Sequence, residues 1–244
     1  MTQSLRPHRA MVLAAGLGTR MRPLTLHKPK PLVEVAGKAL LAHVLDPLLE
    51  ASLDRIVINA HHLAPQIHAW VDALASPQLI VSDESALLLD SGGGIKKALP
   101  LLGTDPFYVL NADSFFVETQ ARTLDRLAAF WDPARMDILL LLATFEQATG
   151  FDGAGDFTMD AQGCLTFRGE EPKAPFIYAG CAIVKPDLFA DQPDGPFSLS
   201  VLFRQAAAHN RLFGLPLQGA WLHVGTVAAI TEAEHVLKSL RGEG

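Results

Sequence analysis

Short apolar runs, each about one strand long, alternate with segments of helical period through the first 144 residues. Met11-Val12-Leu13 opens the series, and Arg55–Asn59, Gln78–Ser82, Pro106–Asn111 and Met136–Thr144 continue it. Between them, Lys38–Ser52 places Leu40, Leu41, Val44, Leu45, Leu48 and Leu49 at helical spacing, with Pro47 a candidate kink. Pro65–Leu74 sets Ile67, Trp70, Val71 and Leu74 on one face, Gly93–Leu99 reads as a short helix, and Thr123–Trp131 as another. Strands that alternate with helices pair in parallel and need both faces covered. The expectation is a doubly wound α/β fold with a mostly parallel, Rossmann-like central sheet and helices on both faces.

The pattern changes after Thr144. Phe157–Met159 and Leu165–Arg168 flank Asp160-Ala161-Gln162-Gly163, a hairpin signal. Phe176–Val184, Arg211–Leu217 and Trp221–Val224 read as strands, Ser198–Asn210 as a helix, and Thr226–Leu240 as an amphipathic closing helix. No linker rich in Gly, Ser or Pro separates the halves. One domain is therefore expected, with a larger α/β lobe over 10–144, a smaller β-rich lobe over 145–225 and a closing helix over 226–241. Residues 1–9 read as a loose tail without the apolar core of a secretory signal.

The first strand breaks into Ala14-Ala15-Gly16-Leu17-Gly18-Thr19-Arg20. Gly16 and Gly18 can adopt positive φ, and such turns aim backbone N–H groups at an anion. Arg20, Arg22, Lys28 and Lys30 follow, and no acid occurs before Glu34. The whole chain has net charge -6, and residues 34–244 carry 14 Lys and Arg against 26 Asp and Glu. Positive charge is thus gathered on one glycine-rich loop of an acidic protein, as a polyphosphate site requires. Pro29 and Pro31 flank Lys30 and predict a stiff, extended placement for it.

The segments Leu13-Ala14-Ala15-Gly16-Leu17-Gly18-Thr19-Arg20-Met21-Arg22-Pro23-Leu24-Thr25 and Lys28-Pro29-Lys30-Pro31-Leu32-Val33 resemble the signature of the sugar-1-phosphate nucleotidyltransferases. Further matches extend over nearly the whole chain. The resemblance implies attack by a sugar-1-phosphate oxygen on the α-phosphorus of a nucleoside triphosphate, with pyrophosphate leaving. It implies catalytic roles for Arg20, at the triphosphate and leaving pyrophosphate, and Lys30, at the α-phosphate. Leu13, Ala14, Gly16, Gly18 and Thr19 are implied at the nucleotide, Gly92 of Ser91-Gly92-Gly93-Gly94 at the base, and Glu84 as an acceptor for the base N3–H. The sugar phosphate is implied at Asn111, Gly153, Asp156, Tyr178 and Gly180. Tyr178-Ala179-Gly180 stands where acetylglucosamine enzymes have N-T-G.

Asp113 ends an apolar strand at the carboxyl edge of the inferred sheet, where open parallel sheets bind ligands. A carboxylate facing phosphates suits Mg²⁺, a hard ion. The resemblance implies a second ligand from W-x-D-x-G-T in close relatives, with asparagine at that position in others, where this chain reads Trp221-Leu222-His223-Val224-Gly225-Thr226. His223 can ligate directly, act through a water or bind phosphate as a cation, and imidazole favours Mn²⁺ over Mg²⁺.

The short members of the family that the chain resembles most imply UTP and N-acetylmuramate 1-phosphate, in cell-wall sugar recycling. Mannose 1-phosphate with GTP and CMP transfer to phosphocholine are the alternatives within the class. A nucleotide-sugar-binding regulator is the alternative from another class, though it would not need Arg20, Lys30 and Asp113 together. Gly16-x-Gly18 lacks the rest of a dinucleotide fingerprint and of a Walker loop. His61, His62 and His68 read as a turn and a helix surface. Cys164 and Cys181 form no zinc pattern and fit a reducing cytoplasm. The acidic balance argues against nucleic acid as partner, no run is long enough for a membrane span, and a monomer or small homo-oligomer is expected.

Overall fold

A computed structural model of the chain describes residues 6–119 and 121–240. The ends of the expected N-terminal tail and closing helix, at 1–5 and 241, lie outside the described residues.

In chain order the strands are β1 (Arg9–Leu13), β2 (Glu34–Val35), β3 (Lys38–Ala39), β4 (Arg55–Ala60), β5 (Leu79–Asp83), β6 (Phe107–Asn111), β7 (Ser114–Glu118), β8 (Ile138–Ala143), β9 (Ala148–Thr149), β10 (Phe157–Met159), β11 (Leu165–Phe167), β12 (Ile177–Val184), β13 (Leu212–Pro216) and β14 (Gly219–His223). The α-helices are α1 (Leu40–Glu50), α2 (Ala64–Ala73), α3 (Asp90–Leu102), α4 (Thr123–Phe130), α5 (Ser200–Ala208) and α6 (Val227–Leu240). Seven strands form one sheet in the order β13-β8-β12-β6-β1-β4-β5. All run parallel except β12, which is antiparallel to both β6 and β8. The expected doubly wound α/β sheet is borne out.

Alternation along the strands splits the core in two. Leu139 and Leu141 of β8 face one apolar cluster with side chains of α1, α2, α4 and α6. Ile138, Leu140 and Leu142 face another with side chains of α3 and α5. A strand buried on both faces reads as a continuous apolar run for this reason.

Three placements differ from the sequence reading. The segment after Asp113 is a strand, β7, which joins β14 and β9 in a separate three-stranded sheet. The second half gives β12 and β13 to the central sheet, so the two halves interleave. The glycine run expected before a short helix lies within the first turns of α3. Gly92 and Gly93 donate their N–H groups to the Phe197 carbonyl. A Cβ at Gly93 would strike the Gly195 carbonyl. Close backbone approach admits this poor helix former here.

Candidate active site

β1 and β6 are adjacent and parallel, so their carboxyl ends open on the same edge of the sheet. A cleft of about 580 Å³ lies there, within the usual range for small-molecule sites. The loop after β1 lines it with Ala14, Gly16, Gly18, Thr19 and Arg20, together with Leu13 from β1. Lys30 comes from the turn that follows, and Asn111 and Asp113 from the end of β6.

Gly18 takes the left-handed conformation with φ 62°, while Gly16 is not among the positive-φ residues and has open space where a Cβ would sit. A Cβ at Gly18 would come within 3.0 Å of both Lys30 Cβ and Thr25 Cγ2. Thr25 Oγ1 donates to the Gly18 carbonyl at 2.7 Å. The loop is therefore packed onto the lysine segment. Pro29 is extended, as expected, but Lys30 itself starts a 3-10 turn that closes with Val33 N–H on the Lys30 carbonyl. The prolines fix the segment, and the local turn rather than an extended strand aims the ammonium.

Lys30 is 9% exposed, and its Nζ lies 2.9 Å from Asp113 Oδ2. His223 Nε2 lies 3.8 Å from the same oxygen. Burial opposes ionisation of Asp113, but His223 and the Lys30 charge outweigh it and hold the carboxyl below the usual carboxylate range. His223 Nδ1–H donates to the Gly150 carbonyl at 3.1 Å. In a neutral ring this leaves the Nε2 lone pair on the Asp113 side, whereas the protonated ring, the form that lowers the Asp113 carboxyl, turns an Nε2–H toward it. Arg20 is exposed, and its guanidinium passes over Gly225, where a Cβ would come within 3.2 Å of both Nη atoms. Arg20, Lys30, Asp113 and His223 thus converge on one site.

Among the described residues no group of three or more His, Cys, Asp and Glu side chains could hold a metal ion. Mg²⁺ is commonly held by one or two carboxylates plus substrate phosphates and waters. Asp113 fits that pattern, and the imidazole of His223 adds a nitrogen donor that suits Mn²⁺ better than Mg²⁺.

The remaining expected residues lie elsewhere. Glu84 is 1% exposed and does not line the cleft. Its Oε1 accepts from Asn59 Nδ2 at 2.8 Å and its Oε2 from Leu89 N at 3.3 Å. Burial raises its carboxyl above the ordinary value against the pull of those bonds. Gly92 faces the Phe197 ring, and Leu88, Asp90 and Ser91 form the cleft wall instead.

Of the sugar-phosphate set only Asn111 lines the cleft. Gly180, with φ 69°, supports Asn111 from behind, since a Cβ there would approach Asn111 Cβ at 3.3 Å. Asp156 Oδ2 accepts from Tyr178 N at 2.9 Å and braces β12. The Tyr178 ring meets Phe203 edge-on, and burial pushes its phenol up. Gly153 packs on the Phe151 ring. Asn59, Asp90 and Pro196 line the cleft but were not singled out from the sequence. Asn59 sits at the end of a parallel strand next to β1, which was the available signal. His61 and His62 donate to the Glu84 and Thr25 carbonyls, and His68 pairs with Asp83.

A family model described as a MobA-like NTP transferase domain matches residues 10–184. This chain belongs to the MobA-like NTP transferase family. The transferase is 47% identical over 235 residues to an N-acetylmuramate alpha-1-phosphate uridylyltransferase of Caulobacter vibrioides, covering 95% of this chain and 97% of that one. It is 35% identical to a protein of the same name from Neisseria meningitidis, covering 93% and 96%. The fold matches that of a UDP-glucose pyrophosphorylase solved with UDP-glucose, with TM-score 0.77, 16% identity and coverage of 96% and 100%. The resemblance to nucleotidyltransferases carried by the N-terminal loop is borne out. No described helix of the transferase is long and apolar enough to cross a membrane.

Proposed function

We propose that this enzyme joins UTP to N-acetylmuramate 1-phosphate, releasing pyrophosphate and forming the UDP-sugar. The convergence of Arg20, Lys30 and Asp113 on one cleft carries the reading, and the near full-length relatives give the substrate pair. An oxygen of the sugar phosphate attacks the α-phosphorus. The bond from that phosphorus to the α–β bridging oxygen breaks, and the electron pair leaves with pyrophosphate. Such reactions depend on positioning and charge stabilisation. Lys30, held by packing and Asp113, meets charge developing at the α-phosphate. Arg20 has no carboxylate partner among the described residues and can grip two oxygens of the leaving pyrophosphate. Asp113, with His223, would hold a divalent ion, Mg²⁺ or Mn²⁺, which supplies charge neutralisation between the phosphates when bound. We place the reaction in the cytoplasm, in the reuse of cell-wall sugars, with the enzyme a monomer or small homo-oligomer.

Pyrophosphate release across UTP, GTP and CTP, each with N-acetylmuramate 1-phosphate, mannose 1-phosphate or phosphocholine, tests this. The expected result is fastest turnover with the first of each set. Fastest turnover with another pair replaces the substrate assignment. Binding without turnover in both Mg²⁺ and Mn²⁺ replaces the enzyme with a regulator.

A further inference from the structure

Glu84 and Asn59 are buried polar side chains to which the chemistry above gives no role. They are 1% and 2% exposed. Groups this buried persist where every bond is satisfied. Here the bonds connect two segments that line the cleft, the loop after β1 and the residues around the start of α3. Asn59 Oδ1 accepts from the backbone N–H of Ala14 at 2.6 Å, in the loop after β1. Asn59 Nδ2 donates to Glu84 Oε1 at 2.8 Å. Glu84 Oε2 accepts from Leu89 N at 3.3 Å. Leu89 precedes Asp90, which takes φ 58°, a costly conformation for a residue with a side chain. Ala14 lines the cleft, and so do Leu88, Asp90 and Ser91 on either side of Leu89. Gly94 completes the arrangement, since a Cβ there would come within 2.6 Å of Glu84 Oε1 and 2.7 Å of Asn59 Nδ2.

The polarity of the chain of bonds is fixed. Two backbone donors, Ala14 N and Leu89 N, stand at its ends. The Asn59 oxygen must therefore face Ala14, its amide nitrogen must face Glu84, and Glu84 must accept on both oxygens. We infer that the Asn59–Glu84 pair is the positioning unit of the nucleoside subsite, with Glu84 setting nucleotide affinity by clamping residues 14 and 89–90 at a fixed separation. Glu84 is a positioning residue and not a direct contact to the base. This inference rests on the nucleotidyl-transfer reading of the same cleft.

Reversing the polarity tests it. Glu84→Gln leaves one backbone or amide donor facing another donor. Asn59→Asp keeps the Ala14 bond but sets two carboxylates together. In the double variant, the new carboxylate at 59 accepts from Ala14 N and from the new amide at 84, whose oxygen accepts from Leu89 N. All three bonds and the total charge are restored. The probes are UTP, or whichever of GTP and CTP supports turnover in the wild type, and inorganic pyrophosphate. Each single variant is expected to weaken triphosphate affinity and raise its KM about tenfold, the scale of one broken buried bond. kcat and pyrophosphate affinity are expected to hold within about threefold. The double variant is expected to return triphosphate affinity to within about threefold of wild type. A double variant that melts like wild type yet binds triphosphate as poorly as the singles overturns the inference. So do single variants that fold and bind both probes as wild type does, or lose both equally. If the singles do not fold, the double variant alone decides. Wild-type protein that turns over no triphosphate defeats the transfer reading itself, a result independent of the variants.

Discussion

A lysine that is 9% exposed needs a counter-charge close by, and Asp113 supplies it to Lys30. His223 brings a second polar group to the same carboxylate. Where the resemblance to W-x-D-x-G-T implies an aspartate, this chain has an imidazole fixed through Nδ1 on Gly150. Imidazole is a weaker partner than carboxylate for Mg²⁺. His223→Asp is therefore expected to strengthen apparent Mg²⁺ affinity in turnover assays by about tenfold, the scale of altered metal-site ligation, and to narrow the gap to Mn²⁺. Identical metal profiles in the two proteins would remove His223 from the metal site. Arg20 and Lys30 were legible because one short motif after β1 carries both, and Asp113 because it closes an apolar strand. The place of Glu84 was not. A carboxylate just after a strand looks the same whether it faces a ligand or is buried on Asn59, and only the fold decides between them.

At the scale of elements, α3 joins the first half of the chain to the second. Its first turn gives the Gly92 and Gly93 N–H groups to Phe197, and Leu199 N donates to Ser91 Oγ at 2.9 Å. The loop carrying Pro196 is thereby held against the cleft. Gly93→Ala would gain helix propensity of about 1 kcal/mol. Its Cβ would also meet the Gly195 carbonyl, and backbone overpacking of this kind costs about 1–3 kcal/mol or more. A net loss of stability in urea denaturation is expected. Unchanged or increased stability would mean that the loop moves aside freely. Periodicity revealed the helices and the buried strands because burial on both faces leaves long apolar runs. It gave α3 too late a start, since three successive glycines read as a breaker when their close neighbours are unseen. It missed β7, because Asn111 and Asp113, which bracket the turn before Ser114-Phe115-Phe116-Val117-Glu118, read as the end of β6 and not as the turn into a new strand.

Across the whole molecule, the topology assembles the site from distant parts of the chain. β12 lies between β6 and β8. β14 pairs with β7, which starts just after Asp113, so His223 and Gly225 arrive beside a loop some two hundred residues earlier. The charge distribution follows the same plan, with an acidic body and a cationic cradle around one cleft. The decisive quantity is the maximal rate of pyrophosphate release by Lys30→Met at saturating UTP and N-acetylmuramate 1-phosphate. Loss of one preorganised charge at the reacting phosphate is expected to lower kcat about 10²- to 10³-fold in a protein that still melts cooperatively. A folded variant that keeps the wild-type kcat would show that the ammonium plays no part in the transfer.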